Sequence, residues 1–214
     1  MYIKTSDQPE LELGFGNYNC NWGVHIAGLY ETPEERDEIL FGFFSAGYRN
    51  NDLDLFCPDE RTTGQFREEL VEFCPDCKKD INDPGHFTFK SAKEFYYPQG
   101  VFSPFEMDKS LDSFFEESQK NGERNVRGSA VMSWALKSIP GIEHLMAYES
   151  RLNRFIPEKP WISICLYDIN LFDGKMIMNV LRTHPYTISK GIITQNPLYQ
   201  DPEIWLKENA PQFL

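Results

Sequence analysis

Two hydrophobic periods take turns along this chain, one of strand length and one of helix spacing, and their order predicts a strand–helix path. The run Val24-His25-Ile26-Ala27-Gly28-Leu29 is strand-like. Thr32 then offers a cap, Pro33 suits the first helical turn, and Glu35 completes a capping box. Ile39, Leu40, Phe43 and Phe44 share one face of that helix, and Gly47 is its expected stop. Asp52 to Cys57 alternates into a second strand, and Phe66, Leu70 and Phe73 mark a second helix. Residues 74–85 are turn-rich and predict a surface loop before the strand Phe87-Thr88-Phe89-Lys90.

The alternation continues. Ser103-Pro104-Phe105-Glu106 repeats the capping signature, Met107, Leu111, Phe114 and Phe115 share a face, and Gly122 is the expected end of that helix. Val126 to Trp134 predicts a short buried strand, and Gly141 to Ile156 a helix. Trp161 to Tyr167 is the continuous apolar run of a strand covered on both faces. Asp173 caps the next helix, with Phe172 placed to staple onto Ile177, and His184-Pro185 closes it. Tyr186 to Thr194 predicts a last strand and Pro202 to Asn209 a terminal helix. The expected fold is α/β: a mainly parallel sheet with helices on both faces, in a single domain. Within it, residues 1–21 read as an extension before a core over 22–206. No internal repeat or low-complexity linker interrupts it.

Composition narrows the function classes. A chain of 214 residues with 41% apolar content can bury one substantial core, and its net charge of -12 disfavours nucleic acid or an anionic membrane as a direct partner. The amino terminus has neither a basic region nor a long apolar stretch, so a soluble cytoplasmic protein is expected. Five cysteines in such a chain predict reduced thiols rather than a disulfide framework.

The turn after the first strand changes the picture most. Tyr30-Glu31-Thr32-Pro33 stands where a nucleotide-binding unit carries a glycine-rich loop ending in lysine and a hydroxyl residue. A phosphate loop needs free backbone N–H groups and a lysine at a helix N-terminus, and this turn holds an aromatic ring and carboxylates instead. The predicted carboxyl rim of the sheet carries Tyr30 and Glu31, Cys57 and Asp59, Tyr167 and Asp168, and Gln195 and Asn196. That aromatic and amide-rich set, without a Ser-His-Asp order or a basic cluster, suits a small, mostly apolar molecule. It equally suits ordinary loop polarity.

Further candidates lie inside the predicted elements. Glu149 and Asn153 interrupt the apolar stripe Ile142, Leu145, Met146, Leu152, Ile156, so Glu149 is either a ligand contact or an anchor to an arginine such as Arg127. His25, in mid-strand, and Cys165, in the most apolar strand, fit core roles as well as ligand roles, and His184 sits at a helix end. Cys74-Pro75-Asp76-Cys77 has the spacing of a zinc knuckle, a redox dithiol or an incidental loop pair. Zinc there would need further ligands, for which Cys57, His86 and Cys20 are the scattered candidates. No other cofactor is expected. The four tryptophans, Trp22, Trp134, Trp161 and Trp205, read as core or lid packing.

Several of these segments match one family. His25-Ile-Ala-Gly-Leu-Tyr30, Glu34-Glu35-Arg36 and Phe44-Ser-Ala-Gly47 resemble the opening of the methanogen/methylotroph sensory (MEDS) domain. More specific matches follow at Trp134-Ala-Leu, Tyr148-Glu149-Ser-Arg-Leu152-Asn153, Cys165-Leu-Tyr167-Asp168, Leu181-Arg182-Thr183-His184-Pro185 and Asn196-Pro197-Leu-Tyr199, so the resemblance spans about residues 22–206. It implies a KaiC/RecA-like ATPase fold without the phosphate loop, and a non-catalytic role in sensing small hydrocarbon derivatives such as one-carbon or methylated compounds. It also implies a partner, a histidine kinase or a transcription regulator. Such domains are usually joined to their output domain, and none is recognised here, so docking to the partner is expected; homodimerisation is left open. Rim position and these motifs together nominate His25, Tyr30, Tyr148, Glu149, Asn153, Cys165, Tyr167, Asp168, His184 and Asn196 as ligand-binding residues. The competing readings are an enzyme or redox module built on Cys74 and Cys77 or on a remnant ATPase site, and a zinc-stiffened interaction module.

Overall fold

A computed structural model describes residues 11–16, 18–120 and 122–214. Two short antiparallel strands, β1 (Leu11–Glu12) and β2 (Asn19–Cys20), precede the main sheet. The expected extension over 1–21 therefore divides: 1–10 lie outside the described residues, and Leu11, Leu13, Phe15 and Cys20 pack into the core.

The main path is β3 (Val24–Tyr30), α1 (Pro33–Arg49), β4 (Leu53–Cys57), α2 (Thr63–Phe73), β5 (Phe87–Phe89), α3 (Ala92–Tyr96), α4 (Pro104–Ser118), β6 (Val126–Val131), α5 (Leu145–Phe155), β7 (Trp161–Asp168), α6 (Gly174–Thr183), β8 (Tyr186–Ser189), β9 (Ile192–Gln195) and α7 (Pro202–Asn209). The strands form a sheet of seven in the order β5-β4-β6-β7-β3-β8-β9, parallel except for β9. β7 lies between β6 and β3, which explains its unbroken apolar run: side chains on both of its faces meet helices. One core, under α1 and α2, takes Ile26, Phe43, Phe66 and Ile164; the other, under α4 to α7, takes Ala27, Leu111, Leu152 and Cys165.

Several boundaries depart from the sequence expectation for local reasons. The segment 186–194 is a hairpin, because Lys190 and Gly191 both adopt positive φ (50° and 69°), the backbone of a tight two-residue turn. α4 ends at Ser118, short of Gly122, and the helix expected from Gly141 opens with a 3-10 turn over Ile142–His144. β6 stops at Val131 and continues as a 3-10 turn over Met132–Leu136. Asp52 precedes β4, and every residue of β4 is buried, Asp54 included, so the strand has no solvent face to alternate with. At α1, Thr32 Oγ1 accepts the Glu35 N–H, but the Glu35 carboxylate takes the Glu31 N–H rather than closing a box on Thr32. Reciprocal boxes form instead at α2, from Thr62 and Gln65, and at α3, from Ser91 and Glu94.

Candidate functional site

Strand parity decides which candidates meet. On β3, His25, Ala27 and Leu29 face the core under α5, whereas Val24, Ile26 and Tyr30 face the opposite one. The same parity on β7 sends Cys165 and Tyr167 toward α5. Parallel register places His25 opposite Ser163 and Ala27 opposite Cys165, so the imidazole and the thiol share a face, with Cys165 Sγ 3.5 Å from His25 Nε2. α5 then lowers Glu149 and Asn153, one turn apart, onto that face. His184, in extended backbone just after α6 and before Pro185, completes the group from the side.

Glu149 is the hub. Its Oε1 accepts from the Tyr167 hydroxyl at 3.2 Å, and its Oε2 lies 3.3 Å from His25 Nε2, 3.4 Å from His184 Nε2 and 3.6 Å from Cys165 Sγ. Glu149 and His184 are fully buried, and His25 is 1% exposed. The imidazoles lie against each other, tilted by 39° with centroids 4.0 Å apart. Behind them, the Asn153 amide donates to the carbonyls of Glu149, Ser150 and Thr183, which turns its Oδ1 toward His25 Nδ1 at 3.3 Å. His184 Nδ1 donates to the Val180 carbonyl at 2.8 Å.

Burial opposes charge on the Glu149 carboxyl, but hydrogen bonding and charge from His184 and His25 outweigh it and hold the group down at about 2. Burial, then the neighbouring His184, lowers His25 to about 4. Burial and the nearby carboxylate push the Cys165 thiol and the Tyr167 phenol well up. At neutral pH the Glu149 carboxylate is therefore ionised and the His25 ring neutral, with a thiol and a phenol that can donate to the carboxylate.

The remaining predicted residues disperse. Tyr30 cannot bound a pocket with Tyr167 and Glu149, because the two tyrosines occupy adjacent register positions of opposite parity and point to opposite faces. Its hydroxyl donates to Glu60 at 3.0 Å, and Glu60 also pairs with Arg36. Tyr148 turns into an aromatic group with Tyr96 and Phe102, and the Asp168 carboxylate accepts from Asn170 at the rim. Asn196 lies beside the amino end of β8, since β9 runs backward; its amide donates to the His184 carbonyl at 2.7 Å and fastens that segment. The anticipated Glu149–Arg127 anchor does not form. Arg127 faces the other core and pairs with Asp52 at 2.7 Å.

The zinc reading at Cys74 and Cys77 is corrected too, together with the expectation of free thiols there: the two sulfurs are joined as a disulfide. Cys57 lies in the opposite core, and His86 groups instead with Asp80 and Asp83.

The turn that replaces a phosphate loop is sealed from within. The Glu31 N–H goes to Glu35, Arg36 is held by Asp37 and Glu60, and Arg61 by Asp37 and Glu69, so its donors and cations already have carboxylate partners. Sequence reading missed Glu60 and Arg61, whose spacing from Arg36 carries no periodic signal. A cleft of about 490 Å³ opens nearby, lined by Asp59, Glu60, Arg61, Ser91, Lys93 and Lys137 among others, and it includes no member of the Glu149 group.

The fold is that of the KaiC/RecA-like ATPases. A KaiC-like protein from Pyrococcus horikoshii superposes with a TM-score of 0.57 at 12% identity, covering 84% of this chain and 79% of that one. The flagellar accessory protein FlaH from Methanocaldococcus jannaschii gives 0.53 at 11% identity, covering 81% and 76%. An ATPase from the type III secretion system of pathogenic bacteria gives 0.57 at 13%, covering 90% and 63%. The model of the methanogen/methylotroph, DcmR sensory domain (MEDS) matches residues 24–185, and the chain belongs to that family of sensory domains. The transcriptional repressor DcmR of Methylorubrum extorquens is 26% identical over 164 residues, a match that covers 76% of this chain and 58% of that protein. The family match makes the chain a sensory domain, and the chain spans little more than half the length of the repressor it matches. Among the described residues, no helix is long and apolar enough to cross a membrane.

Proposed function

We propose that this chain is a non-catalytic, cytoplasmic sensory module that takes a small one-carbon or methylated compound against the Glu149 group and passes the change through α5 and α6 to a partner, either a transcription regulator or a histidine kinase. The observation that carries this reading is the set His25, Glu149, Cys165, Tyr167 and His184: a buried polar group in an apolar core, between the sheet and two helices. Buried polarity of this kind destabilises a fold unless something compensates it, which favours a use for it. The likeness to a repressor supports a regulatory output, and the self-capped turn at Glu31 supports a frame that no longer holds a nucleotide.

A thermal-shift screen of methanol, methylamines, methanethiol and halomethanes tests this. A ligand at a hundredfold excess over its Kd adds ~2.7 kcal/mol to the folded state. Such a ligand should raise the melting temperature of the wild type and act only weakly on Tyr167→Ala and Asn153→Ala. Equal stabilisation of all three would place the ligand elsewhere. A fluorescent ATP analogue with magnesium should show no saturable binding; micromolar binding competed by ATP would overturn the non-nucleotide reading.

A further inference from the structure

The hydrogen bonds around the two imidazoles fix which nitrogen of each carries a proton. The Val180 carbonyl can only accept, so His184 Nδ1 is the protonated nitrogen. The Asn153 amide nitrogen is committed to carbonyls, so its Oδ1 faces His25 Nδ1 as an acceptor, and that nitrogen is protonated as well. Both rings are anchored through Nδ1, and both aim Nε2 at the Glu149 carboxylate. His184 Nε2 is buried, and its neighbour there is Glu149 Oε2 at 3.4 Å. Each ring nitrogen so placed meets the carboxylate through a cation between them, a proton on the ring or a metal ion.

The spacing suits a metal ion. Tetrahedral zinc, with bonds of about 2.0–2.1 Å to nitrogen and oxygen and about 2.3 Å to sulfur, sets its donors about 3.3 Å apart for nitrogen–oxygen pairs and about 3.6 Å apart where sulfur is one partner. The corresponding separations are 3.3 and 3.4 Å from Glu149 Oε2 to the imidazoles, 3.5 Å from Cys165 to His25 and 3.6 Å from Cys165 to Glu149. All four donor atoms lie within 4.8 Å of one another. Each imidazole is held through its far nitrogen, and Tyr167 holds the second carboxylate oxygen, the outer-shell support that metal ligands require. A carboxylate and a thiolate would balance a divalent ion, making the buried group neutral.

We propose that His25 Nε2, His184 Nε2, Glu149 Oε2 and Cys165 Sγ form a four-coordinate site for a divalent transition ion of the zinc class. Two imidazoles, a carboxylate and a thiolate form a donor set of intermediate softness that discriminates against magnesium and calcium. The Cys165 thiol proton leaves to solvent as the metal–sulfur bond forms. This deepens the sensory reading by naming what fills the Glu149 group, and its test uses no hydrocarbon ligand, so either claim can fail alone.

Metal-free protein should take up one zinc per chain by native mass spectrometry. X-ray absorption at the zinc edge of that wild-type complex should count one sulfur and three nitrogen or oxygen neighbours. Cobalt should give tetrahedral d–d bands with a thiolate charge-transfer band that disappears in Cys165→Ser and persists in the Cys74→Ser, Cys77→Ser double variant. His184→Ala should weaken zinc binding at least tenfold. No stoichiometric uptake, a count of two sulfurs or none, or a charge-transfer band unaffected by Cys165→Ser would each overturn the site. The absorption count needs no variant, so a Cys165→Ser protein that fails to fold leaves the proposal open to refutation.

Discussion

The chain buries two carboxylate groups on opposite faces of one sheet, and they solve the same problem differently. Under α1, Asp52 is paired with Arg127 at 2.7 Å, receives the side-chain amides of Asn50 and Asn125, and sits beside an arginine that also lies over the Phe43 and Trp22 rings. The cation is covalently part of the chain. Under α5, Glu149 is surrounded by two imidazoles, a thiol and a phenol, and no lysine or arginine forms an ion pair with it among the described residues. The first group carries its own cation, as a structural anchor must. The second has no lysine or arginine of the chain beside it, and the proposed metal ion would supply the charge that Arg127 supplies to Asp52.

Removing Arg127 should produce the largest effect. Arg127→Ala leaves Asp52 buried without its cation and should lower the unfolding free energy by ~3–5 kcal/mol, read from urea denaturation. A loss below about 1 kcal/mol would mean that water or rearrangement replaces the guanidinium, and the contrast with Glu149 would collapse. Next comes Gly47→Ala. The added Cβ would stand 2.2 Å from Asp54 Oδ1 and 2.8 Å from Arg127 Cδ, so the packed Asp–Arg group must shift; overpacking of this kind costs ~1–3 kcal/mol. No measurable loss would show this group to be loose rather than braced.

Glu149→Gln should behave otherwise. In metal-free protein the amide still accepts from Tyr167, but the variant gives up a carboxylate whose ionised form its neighbours favour over burial, so at neutral pH it should be less stable than the wild type, by less than Arg127→Ala loses. Adding zinc should then widen the gap, stabilising the wild type and leaving the variant behind. A metal-free loss as large as that of Arg127→Ala would make Glu149 a brace after all.

What the sequence disclosed follows from the range of the forces involved. β3, β7 and the caps at Thr32, Ser103 and Asp173 are set by neighbours in the chain, and each is read from a local pattern. Glu149 was conspicuous because a carboxylate broke an apolar helical stripe. Its partners were individually nameable as well, since His25 and Cys165 are polar or reactive groups in strands that are otherwise apolar. Their convergence depends on β3 lying beside β7 in a register that pairs His25 with Ser163, and no local pattern encodes that. The same gap misassigned Arg127, whose true partner Asp52 leads into the adjacent strand β4 and whose face is set by parity. The turn at Lys190-Gly191 was a different failure: its residue types suit a hairpin, but apolar residues on both sides read as one continuous strand.

The smallest effect expected is a gain. Both oxygens of Asp54 are buried without a hydrogen-bond partner, and burial pushes its carboxyl well above the usual range, with Arg127 pulling back only partly and Asp52 adding repulsion. A carboxyl whose folded pKa is raised stabilises the fold below its unfolded value near 3.8, and that contribution is lost as the pH climbs through the folded value. Near neutral pH the wild type therefore carries a penalty that an uncharged amide of the same shape does not. Asp54→Asn should raise the melting temperature at neutral pH, and the difference from the wild type should shrink as the pH is lowered toward the ordinary carboxylate range. A difference constant across that range would show that Asp54 does not titrate differently on folding. A wild type more stable than the variant at neutral pH would make Asp54 a second working partner of Arg127, and the brace would then be a triad rather than a pair.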